Sequence, residues 1–140
     1  DYRARAATFA ASMAELDKRF STGLASCATK KLVTGHAAFG YLAARYGLSQ
    51  VPIAGLSPDQ EPSAKQLADV ATAVKASGVT TIFTETLVDP KFAQTIAQET
   101  GVTLALLDPV EGITDQSPGR DYHAVMVANL AALRTGLGCS

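Results

Sequence analysis

Two hydrophobic rhythms alternate along the chain. Short apolar, β-branched runs stand at Lys31–Gly35 (KLVTG), Gln50–Gly55 (QVPIAG), Thr80–Glu85 (TTIFTE) and Thr103–Asp108 (TLALLD). They lack clean alternation of polar and apolar residues, as expected of strands covered on both faces. Between them the apolar positions recur at helical spacing: Phe39, Leu42, Ala43 and Tyr46, then Leu67, Val70, Ala71 and Val74. Met126, Leu130, Leu133 and Leu137 form the stripe of a last helix.

Punctuation supports this reading. Ser63-Ala64-Lys65-Gln66 has the pattern of a capping box. Asp89-Pro90 offers an N-cap followed by proline at the first helical position. Gly47, Gly78 and Gly101 stand where a left-handed residue would end a helix. Strands alternating with helices over short links imply an α/β domain: a four-stranded parallel sheet flanked by helices, with right-handed crossovers. The sequence carries no sign of low complexity, a long linker or a second domain.

The first helix has an additional feature. Tyr2, Ala6, Phe9, Met13, Leu16 and Phe20 form a long apolar seam that begins at the first residues. The seam either packs on this domain's own sheet or serves in part another domain. The abrupt start favours the second account, and with it a chain cut from a longer one.

Composition narrows the function classes. The 140 residues suit one domain, and 12 basic against 13 acidic residues give a net charge of −1. That balance gives no footprint for nucleic acid or for an anionic membrane. No apolar run reaches the roughly 20 residues of a membrane span, and the opening stretch reads as a charged helix rather than a signal peptide. Cys27 and Cys139 are either two unrelated buried thiols or one disulfide tying the first helical region to the last residues.

In parallel sheets, ligands bind outside the carboxyl ends of the strands. Three polar residues stand there: His36 after the first strand, Glu85 closing the third and Asp108 closing the fourth. A helix N-terminus close to His36 would disfavour imidazolium and keep a lone pair for a metal. Asp108 would add an anionic oxygen, giving half of a tetrahedral site. Each has a plainer reading: His36 as a hydrogen-bonded structural residue, Asp108-Pro109 as an ordinary turn opening, Glu85 as a loop cap. His123, in the first turn of the last helix, is expected to be solvated. The phosphate-loop, dinucleotide, nucleophile-elbow and CxxC patterns are absent, and His36 has no evident nucleophile partner.

The segments TGHAAFGYLAARYGL, GLSPDQEPSAKQLADV, TTIFTETLVDPKFAQTIAQETGV, LLDPVEG and HAVMVANLAALRTGLGC occur in that order. Together they resemble the C-terminal domain of the zinc and manganese substrate-binding proteins of ABC transporters, the ZnuA-like cluster A-I family. Among these, the chain looks most similar to actinobacterial zinc-binding lipoproteins. The resemblance implies two α/β lobes joined by a long helix, with metal held between them. Residues 1–22 would be the rear part of that helix and 23–140 the C-terminal lobe. His36 and Asp108 would be two of four metal ligands, and Glu85 would orient the imidazole.

It further implies a protein working outside the cytoplasmic membrane with a membrane permease, no enzyme activity, and a Cys27–Cys139 disulfide. Imidazole at position 36 suits zinc better than manganese. The N-terminal lobe with its two ligands has no counterpart here, nor does the acidic, His-rich loop common in zinc members. Zinc is therefore expected to bind this chain alone weakly or not at all. The alternatives are a manganese or iron receptor of the same family and, further off, a small α/β hydrolase-type enzyme using His36, Glu85 and Asp108 as acid–base groups.

Overall fold

The computed structural model describes residues 1–57 and 59–140. The elements run α1 (Tyr2–Gly23), β1 (Lys31–Thr34), α2 (Gly40–Arg45), β2 (Ser49–Pro52), α3 (Ala64–Ser77), β3 (Thr81–Thr84), α4 (Lys91–Thr100), β4 (Thr103–Leu106) and α5 (Tyr122–Leu137). The four strands form one parallel sheet in the order β2-β1-β3-β4.

The central strands carry the buried runs that the pattern predicts. In β1, Leu32 faces one layer and Val33 the other; in β3, Phe83 and Ile82 divide in the same way. On one face α1, α2 and α5 bring Leu16, Phe20, Ala43, Leu130, Leu133 and Leu137 against Leu32 and Phe83. On the other, α3 and α4 bring Ala71, Val74, Ala93 and Ile96 against Val33 and Ile82. Edge strand β4 departs from the pattern, with Thr103 and Leu104 exposed. Helix α5 lies close on β3: a Cβ added at Gly136 would come within 2.6 Å of the Phe83 ring.

The helix ends follow the sequence with two shifts. Ser63 and Gln66 form the full reciprocal capping box, and Gly78 and Gly101 close α3 and α4 in the left-handed conformation. Helix α4, however, begins at Lys91, so Pro90 is its cap residue. The Asp89 carboxylate still accepts from the Lys91 N–H at 3.0 Å. Helix α2 begins only at Gly40. His36 thus lies outside its first turn, and the helix-dipole argument for a neutral imidazole does not apply.

The α1 seam divides in two. Leu16 and Phe20 are buried in the core, while Tyr2 and Phe9 lie on the exposed half of the helix. The lower half is tied to α2 by Asp17, which accepts from the Arg45 guanidinium at 2.7 and 3.0 Å and from the Tyr46 hydroxyl at 2.8 Å. Cys27 and Cys139 are joined by a disulfide across 112 residues. Backbone bonds run beside it, from Ala28 N–H to Gly138 O and from Ser140 N–H to Ser26 O, both at 3.0 Å. Among the described residues no helix is long and apolar enough to cross a membrane.

Candidate functional site

The chain moves outward from β1 to β2, returns across β1 to β3, and continues outward on the other side to β4. The strand order therefore reverses between β1 and β3, and such a reversal opens a crevice at the carboxyl ends. His36 lies just past β1 and Glu85 just past β3, one on each side of it.

His36 is fixed through both main chain and ring. The Thr34 hydroxyl donates to its carbonyl at 2.7 Å, and the Gln50 amide donates to the same oxygen at 3.1 Å. Its own N–H donates to Glu85 Oε1 at 3.1 Å. The ring Nδ1 lies 2.6 Å from Glu85 Oε2, and both side chains are buried. The two atoms stand within hydrogen-bonding distance, though out of good alignment, and neither has another partner. Gly35 makes room for it, because a Cβ there would stand 3.1 Å from Glu85 Oε1. Burial pushes the Glu85 carboxyl above its ordinary range, and the adjoining imidazole and the His36 N–H pull it partly back.

With Nδ1 against a carboxylate, a neutral ring keeps its proton there and its lone pair on Nε2. Nε2 lies 3.8 Å from Glu111 Oε1, too far for a hydrogen bond. The Glu111 side chain is half exposed, whereas that of His36 is 2% exposed. Two ligands on one tetrahedral zinc, each about 2.0–2.2 Å from it, stand about 3.3–3.5 Å apart. The His36–Glu111 gap is close to that spacing.

Asp108 is buried on the same edge and is engaged with its own loop. Its Oδ1 accepts from the Val110 N–H at 2.8 Å, while Oδ2 is buried without a partner. Asn129 of α5 grips its main chain: Asn129 Oδ1 accepts from the Asp108 N–H at 2.9 Å, and Nδ2 donates to the Asp108 carbonyl at 2.7 Å. His123 is half-buried near the start of α5 rather than fully solvated.

The topology thus gathers His36, Glu85 and Asp108 on one edge, as the sequence predicts, but direct contact joins only His36 and Glu85. Sequence reasoning missed Glu111 and Asn129. Glu111 is a carboxylate in the same loop as Asp108, and Asn129 interrupts an apolar helix stripe, a usual sign of a buried amide with partners. Among the described residues no three histidine, cysteine or carboxylate side chains converge closely enough to hold an ion.

The family model described as "Zinc-uptake complex component A periplasmic" (ZnuA) matches residues 1–136. The chain is 44% identical over 136 residues to the zinc-binding protein AdcA of Streptococcus pyogenes serotype M1, covering 96% of this chain and 26% of that protein. It is 42% identical over 138 residues to the high-affinity zinc uptake system protein ZnuA of Bacillus subtilis, covering 97% and 43%. The crystal structure of the laminin-binding protein Lbp of Streptococcus pyogenes superposes with a TM-score of 0.88 at 38% identity, over 97% of this chain and 53% of that one. The chain therefore spans from about a quarter to about half the length of these relatives. With one family model matching nearly its whole length and relatives above 40% identity, this chain belongs to the ZnuA family.

Proposed function

We propose that the chain is the C-terminal lobe of a two-lobed receptor that captures zinc outside the cytoplasmic membrane and hands it to an ABC importer. Residues 1–22 are the rear of the helix joining the lobes, and 23–140 form the lobe itself. The lobe offers zinc, its cargo, two ligands: His36 through Nε2 and Glu111 through Oε1. Glu85 orients the imidazole. Asp108 shapes the turn that carries Glu111.

One observation carries this reading. A buried imidazole has Nδ1 held against a carboxylate while Nε2 faces a second carboxylate, half exposed, at near-ligand spacing. That is how proteins commonly orient a metal-ligating histidine. The exposed first half of α1 fits a helix that continues against another lobe. The disulfide fits an oxidising compartment. Two ligands leave half of a tetrahedral shell to water, so zinc binds this chain alone weakly. The role is capture and transfer rather than catalysis.

The buried, unpartnered Oδ2 of Asp108 supports a second reading, in which Asp108 is the carboxylate ligand. Zinc calorimetry on the two-lobed receptor separates the two. His36→Ala is expected to weaken zinc binding by about 100-fold or more, and unchanged affinity would overturn the proposal. A larger loss in Glu111→Gln than in Asp108→Asn favours Glu111 as the ligand, and the reverse order favours Asp108. Competition with manganese and iron(II) in the same titration tests the choice of metal.

A further inference from the structure

Val110 has φ +61°, the only positive φ outside glycine among the described residues. A β-branched side chain rarely accepts that conformation. It follows Pro109, and glycine is the residue that ordinarily fills a left-handed position. A valine stays there only if its surroundings hold it.

Two groups do so. The Asp108 carboxylate accepts from the Val110 N–H at 2.8 Å. Behind it, the buried Asn129 amide accepts from the Asp108 N–H and donates to the Asp108 carbonyl, closing a two-bond clamp between α5 and the end of β4. The next residue along is Glu111, whose carboxylate faces His36 Nε2 across 3.8 Å. Clamp, turn and carboxylate form one continuous chain of contacts.

We propose that Asn129 is a positioning residue: it locks Asp108 and the left-handed Val110, and so delivers the Glu111 carboxylate to His36. This rests on the reading of Glu111 as a zinc ligand. Truncating Asn129 leaves the Asp108 N–H and carbonyl without partners, frees the turn and lets Glu111 swing away.

The test is a double-mutant cycle on the two-lobed receptor, read by zinc calorimetry and thermal melting. Asn129→Ala is expected to weaken zinc binding about 10–100-fold, the range for groups that orient metal ligands. In a Glu111→Gln background it should cause little further loss, because it acts through that carboxylate. Full additivity of the two losses, or unchanged affinity in Asn129→Ala, overturns the proposal. A Glu111→Gln variant that binds zinc normally removes the ligand reading instead, and the proposal with it. If Asn129→Ala does not fold, Val110→Pro takes its place: proline cannot adopt a positive φ and has no N–H for Asp108. It should show the same loss and the same non-additivity, and normal zinc binding by Val110→Pro would equally overturn the proposal.

Discussion

His36 Nδ1 and Glu85 Oε2 lie 2.6 Å apart, and the other Glu85 oxygen accepts from the His36 main chain. One carboxylate therefore fixes both the backbone and the ring of the histidine, across 49 residues of sequence. The arrangement leaves Nε2 as the nitrogen free to meet a ligand.

Replacing Glu85 by glutamine keeps its shape but removes its charge. A glutamine also presents an NH2 group that competes for the wrong side of the ring. Glu85→Gln should weaken zinc binding by the two-lobed receptor about 10–100-fold while the protein stays folded. Calorimetry with a parallel melting curve checks this, and an unchanged affinity would show that the ring needs no anchor.

The Cys27–Cys139 bond closes a 112-residue separation. In the chain-entropy model a loop of this size restrains the unfolded chain by about 4–5 kcal/mol, and measured losses for native disulfides run about 2–5 kcal/mol. The paired Cys27→Ser and Cys139→Ser variant should lose stability in that range. Urea denaturation with and without reductant measures it. A midpoint indifferent to both treatments would mean that the backbone bonds beside the bridge hold this seam without it.

The contact between α1 and α2 predicts a pH response at both limits. Its hydrogen bond from Arg45, and next that from Tyr46, hold the Asp17 carboxyl below its ordinary value of 3.8. Its contribution is present above that value and is lost as pH falls through the lower, folded one. Burial, and next the hydrogen bond to Asp17, push the Tyr46 hydroxyl up to about 12 from 10.0. The folded state therefore keeps a proton that the unfolded chain releases, and this contribution is lost as pH rises between 10.0 and about 12. Asp17→Asn should flatten the acid limb of a stability–pH profile, and Tyr46→Phe the alkaline limb. Because Arg45 is largely exposed and Asp17 partly so, salt should shrink the acid effect. Profiles identical to the parent's would contradict the assignment.

Much of the architecture was legible in the chain because it rests on periodicity and punctuation. Runs such as KLVTG and TTIFTE have the composition of strands buried on two faces, and Leu32, Val33, Ile82 and Phe83 occupy those faces. Ser63 and Gln66 declared their capping box by spacing alone. The gathering of His36, Glu85 and Asp108 on one edge followed from parallel topology. The Cys27–Cys139 pairing was legible only through the family resemblance, since spacing does not pair cysteines.

What stayed hidden depends on loop geometry. Nothing periodic announces that α2 waits until Gly40, so the expected helix end beside His36 is not there. The orienting role of Glu85 came from the family resemblance alone, and its carboxylate lies against both the His36 ring and its N–H. Asp108 and Glu111 lie in the same loop, and only the left-handed turn at Val110 separates a carboxylate tied to its own backbone from one facing the imidazole. Asn129 reads in sequence as a polar residue within an apolar helix, and its partners lie 21 residues away.

The most direct test is a crystal structure of the two-lobed receptor loaded with zinc. The account predicts zinc bonded to His36 Nε2 at about 2.0–2.1 Å, with a carboxylate of the Asp108–Glu111 loop on the same ion. Glu85 should still lie against Nδ1. Zinc bound through Nδ1, or seated away from His36 altogether, would contradict it.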